Sequence, residues 1–327
     1  MNQRIGYIDT AKGICICLVV AFHCGLHYNE SVDNMLGVIR MPLYYFLSGL
    51  FFKRYDGYSS FAVKKVNRLL IPFLFFYLLT SVLLPSLLYR FFGYHFETIV
   101  GWRALYAFIY PEQFPNIPIW FLWSLFISNI IFYGITKVCR GRDGILTTLV
   151  SLLGLAGFAL DYYHINLPAF FDKTLLYAPF FLFGHLVCKR GFLQNRLSGW
   201  LLGTALPVLL GISFVLSNVD ADNMWVQLPC FWISGTAGIF FVLFLSRLLN
   251  HLPLITYYGH YSIIILVSHL IVIQCLTRLL LPAGMPDGLP SNLLVFTLTL
   301  LLSLLLIPLM KKYIPWFVAQ KDLLYWP

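Results

Sequence analysis

Charge is what this sequence has least of. Only 11% of its 327 residues are Asp, Glu, Lys or Arg, against 60% apolar, and the mean hydropathy is +0.80. A water-soluble domain of this length covers its exterior with charged side chains, and so few cannot do so. Low-complexity tracts, soluble linkers and fixed-period repeats are missing too, so a single domain over residues 1–327 is expected. The seven cysteines are odd in number, lie mostly inside apolar runs and include no CxxC pair, so neither a disulfide frame nor a metal site is expected. No small-residue cleavage site precedes His23 and His27, and the first apolar run is therefore expected to stay in the chain.

What the chain does have is apolar runs. A helix needs about 20 apolar residues to cross the hydrocarbon core. Ten runs approach that length, over 10–27, 37–52, 69–89, 117–137, 145–161, 174–189, 197–216, 228–248, 261–281 and 291–311. The expected fold is all-α, a polytopic transmembrane bundle of about ten helices. Segment 98–110 is apolar but short and interrupted by Arg103, and reads as an interfacial or re-entrant piece.

Lys and Arg gather at both termini and after the even-numbered runs. Arg4 and Lys12 open the chain; Lys53, Arg54, Lys64, Lys65 and Arg68 follow the second run; Lys137, Arg140 and Arg142 follow the fourth. Lys189, Arg190 and Arg196 follow the sixth, Arg247 the eighth, and Lys311, Lys312 and Lys321 the tenth. The opposite loops hold Glu30, Asp33, Glu97, Glu112, Asp161, Asp172, Asp220, Asp222 and Asp287. The positive-inside rule then places both ends in the cytoplasm. The net charge of +9 is read as topology and attraction to the anionic leaflet, not as nucleic-acid binding.

Ionisable groups inside a bilayer are costly, so those present are candidates for function. None of the 13 carboxylates falls near the centre of a run, whereas Lys12, His23, Arg40, His185, His260 and His269 lie in or at the ends of runs. A proton-coupled transporter would want an embedded Asp or Glu; a basic interior suits a polyanionic ligand. Lys12 and His23 are eleven residues apart, about three full helical turns, so they share a face with the histidine about 16 Å deeper. Asp9, three residues before Lys12, is placed to pair with it. Ser262 and His269, seven apart, share a face of the ninth run, and His269 falls near the depth of His23. The competing reading makes Lys12 and Arg4 positive-inside anchors and the histidines polar packing. His23 and His27 have the i, i+4 spacing of metal ligands but lack the Glu that usually follows the first. Ser48 and Gly49 read as a close helix contact rather than a nucleophile.

Five stretches together resemble the membrane-bound acyltransferase family 3, integral membrane O-acyltransferases of bacterial surface polysaccharides. They are RIGYIDTAKGICICLVVAFH, RMPLYYFLSGLFFKR, KKVNRLLIPFLFF, PIWFLWSLF and YGHYSIIILVSH. The absence of a trailing soluble domain resembles the short, fucose O-acetylase-like members. Such members usually carry a histidine shortly before Met-Pro, where this chain has Arg40. Arginine cannot act as a base but can clamp a phosphate or carboxylate.

The resemblance implies a multi-pass protein of the bacterial cytoplasmic membrane. Its donor would be cytoplasmic acyl-CoA, with acetyl-CoA the expected form, and its acceptor a hydroxyl of a saccharide or lipid-linked saccharide. On that reading Lys12, Arg68 and Arg4 hold donor phosphates, and Asp9 orients Lys12. His23 is the general base, His269 and Ser262 orient the thioester or stabilise its oxyanion, and Arg40 clamps an anionic acceptor group. Besides acyl-CoA, the acceptor and the bilayer, no partner is implied; a homo-oligomer is compatible with the sequence. The alternative is a transporter or flippase for a lipid-linked or anionic solute, expected to show paired broken helices in two related halves.

Overall fold

The structure, a computed structural model, describes residues 6–93, 99–107, 109, 114–192, 199–250, 252–280 and 288–325. Arg4 lies outside them. The described residues are helical throughout, with no strand. The helices are α1 (Gly6–His23), α2 (Glu30–Leu50), α3 (Tyr58–Lys65), α4 (Ile71–Leu78), α5 (Leu84–Phe92), α6 (Ala104–Ala107), α7 (Trp120–Val138) and α8 (Asp143–Tyr162). They continue as α9 (Phe171–Leu176), α10 (Ala178–Lys189), α11 (Gly199–Ser217), α12 (Met224–Leu248), α13 (Pro253–His260), α14 (Ser262–Leu280) and α15 (Leu289–Tyr313).

Seven helical stretches are long and apolar enough to cross a membrane: α1, Tyr58–Phe91, Ile117–Val138, α8, α12, α14 and α15. The second, sixth and seventh expected spans do not meet that standard. α2 is long but carries Glu30, Asp33 and Arg40, α10 has 12 residues, and the apolar part of α11 is Gly203–Ser217. Residues Gly101–Ala107 form one 3₁₀ turn and a four-residue helix, too short to span. The outward face of α15 shows why lipid is its solvent. Leu301, Leu305 and Leu309 recur every four residues, each more than half exposed, and form an apolar ridge along one side.

The chain forms two compact units, one from residues 1–51 with 180–307 and one from 52–179 with 308–327. In the first unit, contacts fix the helix directions. α1 runs parallel to the α13–α14 pair, because Gly6 meets Asn250, Thr10 meets Thr256 and His23 meets His269. α2 runs the opposite way: its Arg40 meets Cys15 and Phe22, and Phe51 just beyond its end meets Lys12. α12 is also antiparallel to α1, with Arg247 near its end donating to the Tyr7 hydroxyl (3.2 Å) at the start of α1. α11 ends beside the start of α2, where the Asn218 amide donates to the Ser31 carbonyl (3.0 Å). α15 begins beside the end of α1, the Asn292 amide donating to the Gly25 carbonyl (2.9 Å).

Two glycine-mediated contacts hold these helices at backbone distance. A Cβ on Gly13 would lie 1.9 Å from the Ile255 carbonyl oxygen, and one on Gly259 would lie 1.7 Å from that of Asp9. α2 and α10 meet the same way, since a Cβ on Gly49 would lie 1.8 Å from the Phe181 oxygen and one on Gly184 1.9 Å from that of Phe46. Small residues at facing positions are how membrane helices gain packing energy, because lipid supplies no hydrophobic drive between them.

In the second unit, Tyr58–Phe91 is interrupted by two π-helical turns, Val66–Leu70 and Leu79–Leu83. The first presents buried Asn67 to the chain's C-terminal segment. Its amide donates to the carbonyls of Val63 (3.0 Å) and Leu324 (2.7 Å), and its oxygen accepts from the amides of Leu323 (2.8 Å) and Leu324 (2.9 Å).

Gly259→Ala is expected to force α1 off α13 and lower stability in detergent by about 3 kcal/mol, whereas Gly134→Ala, with open space around it, should leave the melting temperature unchanged or raised. Asn67→Ala should release the C-terminal segment, read as faster amide exchange at Leu323 and Leu324, with a loss of about 2 kcal/mol.

Candidate active site

The first unit brings most of the sequence-selected residues into one polar column between α1, α2, α13 and α14. At its start, Asp9 is almost buried, 7% exposed, because Gly259 lets α13 lie against it. Lys12 Nζ donates to Asp9 Oδ1 at 3.3 Å, and His260 Nδ1 lies 3.9 Å from Oδ2. A buried carboxylate is retained only when cations or donors compensate it, and the Lys12 ammonium does so here. The Lys12 ammonium also sits 4.8 Å above the Phe51 ring.

One to two turns further along α1, Cys15 Sγ donates to the Arg40 carbonyl at 3.3 Å. Beside it the buried Tyr44 hydroxyl stands next to Cys15 and Ser262. Ser262 is placed there by a break in the helix. Tyr261 adopts φ −109°, ψ 25°, ending α13, and α14 begins at Ser262. The break leaves Gly259 free to pack on α1 while redirecting the next helix.

At the far end His23, the last residue of α1, meets His269 of α14 with ring centres 5.2 Å apart and planes inclined by 50°. His269 is wholly buried and His23 partly exposed. The Arg40 guanidinium covers the Phe22 ring at 4.3 Å, and its charge acts on His23. The exposed His27 points elsewhere, pairing with half-buried Asp33 at 3.1 Å. Among the described residues no group of three or more His, Cys, Asp or Glu could hold a metal ion.

Arg68 is in the second unit. It pairs with Asp322 at 3.4 Å and donates to the Ala319 carbonyl, while Lys64 takes the other Asp322 oxygen at 2.7 Å. Its guanidinium thus serves the C-terminal segment.

Two residues were not singled out from the sequence as site members. Tyr44 had a usable signal, since it is one helical turn after Arg40 and shares its face. His260 stood out as an ionisable residue at the edge of a run, but its neighbour Asp9 is some 250 residues away, and no local spacing announces that contact.

The order of chemistry along the column is a cation and carboxylate at one end, hydroxyls and a thiol midway, and paired imidazoles at the other. Such an arrangement can hold an anion, guide an elongated ligand and move a proton from a hydroxyl. No curated protein and no solved structure matches the chain closely enough to count as a relative. The model of the acyltransferase domain of acyltransferase family 3 matches residues 5–310, nearly the whole chain. With seven candidate spans among the described residues and that match over almost its full length, the chain belongs to acyltransferase family 3 and is a multi-pass membrane protein.

Proposed function

We propose that the protein is an acyl-CoA-dependent O-acyltransferase of the bacterial cytoplasmic membrane, moving an acetyl-type group to a hydroxyl of a surface glycan or lipid-linked sugar. The observation that carries this reading is the contact of His23 with His269, 5.2 Å between ring centres, at the end of a polar column that begins with Lys12. Lys12, directed by Asp9, takes a donor phosphate as a point charge, a role in which Arg4 would share; Arg68 is engaged by Asp322. The eleven residues to His23 span about 16 Å, comparable to the extended pantetheine arm between those phosphates and a thioester. Ser262 and Tyr44 flank that path, and His269 and Ser262 orient the reacting groups. Arg40 clamps an anionic group on the acceptor.

His23 removes the acceptor's hydroxyl proton as the oxygen attacks the thioester carbonyl. The tetrahedral oxyanion collapses, the carbon–sulfur bond breaks with its electron pair on sulfur, and His23 returns the proton to the thiolate. The products are an O-acyl ester and free CoA. Nothing observed favours a transporter.

For topology we propose ten crossings with both termini in the cytoplasm. Seven crossings alone would make α12 the fifth and parallel to α1, whereas the two run antiparallel. That direction supports the reading that an odd number of the three remaining helices, α2, α10 and α11, cross as well. α2 covers the depth from His23 to Lys12, and all three crossing gives the alternation that the Lys and Arg distribution requires.

Labelled acetyl-CoA offered to the purified protein with a saccharide acceptor tests the reading. His23→Ala should lower transfer by at least about 10²-fold at unchanged expression and melting temperature; wild-type transfer in that variant removes the mechanism. Asp9→Asn, which leaves Lys12 without its directing charge, should raise KM for the donor by about 10-fold, roughly 1.4 kcal/mol, with little change in kcat.

A further inference from the structure

The two imidazoles of the column are not equivalent. His269 Nδ1 lies 2.9 Å from the Ile265 carbonyl, one turn earlier on its own helix. A carbonyl only accepts, so a neutral ring carries its single proton on Nδ1 and presents a lone pair at Nε2. That Nε2 is buried in a side chain with 0% exposure and has no hydrogen-bond partner. Buried acceptors are satisfied in native structures, and each exception asks what donates to it in the working state. A neutral His269 with its proton on Ile265 has no N–H left for an oxyanion.

The ring that faces His269 is that of His23. An N–H···N bond of about 2.9 Å between two imidazoles, with each nitrogen about 1.1 Å from its ring centre, spans about 5.1 Å end to end. The observed 5.2 Å between ring centres matches that span, and the 50° between planes leaves a side-chain rotation of His23 as the remaining adjustment. No carboxylate pairs with either ring among the described residues, so His23 lacks the acidic partner that orients the histidine of a hydrolase triad.

We propose that His269 is the positioning residue of this site: its Nε2 accepts the N–H of His23, which turns the other His23 nitrogen, lone pair outward, toward the incoming hydroxyl. The proposal rests on the reading of His23 as general base. When His23 takes the hydroxyl proton it becomes an imidazolium beside the Arg40 charge, and the neutral His269 acceptor stabilises it without adding charge. The proton then leaves from the nitrogen that received it, to the thiolate. His269 stays neutral throughout, its Nδ1 proton held on Ile265.

Two substitutions separate this role from simple packing. His269→Phe keeps a ring but removes the acceptor, and should lower kcat by about 10²-fold or more with KM for both substrates unchanged. His269→Gln returns an amide oxygen near the position of Nε2 and should recover kcat to within about 10-fold of the parent. Nitrogen-15 spectra of histidine-labelled full-length protein in detergent, assigned with His23→Ala, give a readout that does not depend on any variant folding. They should show His269 protonated on Nδ1 and His23 in one tautomer. His23 should become a tautomer mixture in His269→Phe and not in His269→Gln. A proton on His269 Nε2 in the parent protein overturns the proposal. So does a parental kcat in His269→Phe while His23→Ala is inactive, an outcome that leaves the general-base reading standing. Activity in His23→Ala removes both.

Discussion

The backbone contact between α1 and α13 is the constraint on which the rest of the site depends. Gly13 and Gly259 remove the only atoms that would hold these helices apart, and the carbonyls of Ile255 and Asp9 occupy the space. Once the two backbones touch, consequences propagate along parallel helices. Thr10 reaches Thr256 at 2.9 Å, Asp9 is enclosed, and some ten residues further on His23 and His269 arrive at one level. A helix pair held by larger side chains would separate by several ångströms and scatter these partners. Close packing at the start of α1 thus sets geometry at its end.

Electrostatics divides the column into two regimes. At Asp9 a buried carboxylate is offset by the Lys12 ammonium, with the His260 ring 3.9 Å from its other oxygen. At His23 the charge that acts on the ring is the cation of Arg40, and among the described residues no carboxylate pairs with either imidazole. A ligand with phosphates at one end and a neutral reacting carbonyl at the other complements both regimes. The second unit shows a separate economy, in which a π-helical turn exposes Asn67 to read the backbone of the C-terminal segment and Asp322 joins Lys64 to Arg68. Extra residues in a helix, as in such turns, are often kept for a specific contact.

Much of this was legible in the residues. Scarce charge and long apolar runs dictate an all-helical membrane chain, because only helices satisfy their own backbone in lipid across such stretches. Helical periodicity put Lys12 with His23 and Ser262 with His269 on common faces, and the depth arithmetic set the histidines level. The count of spans was less secure. α2, α10 and α11 are short or carry charge, and hydropathy cannot tell a short span buried by neighbours from a helix that stays inside the bundle. Arg68 was chosen for its place in a motif, yet its partner Asp322 lies over 250 residues later, where no periodicity reaches.

By itself, then, the sequence determined the solvent of this protein, its helical class, the direction in which its cations gather and the faces that local periodicity can define, since each depends on residues within one helix or its flanks. The tertiary structure alone decided which faces meet. The enclosure of Asp9 by α13, the company of Tyr44 with Ser262, the diversion of Arg68 to the C-terminal segment and the contact of His269 with His23 all arise between residues far apart in the chain. Such contacts depend on crossing points of glycines, and a glycine's role is set by what lies opposite it.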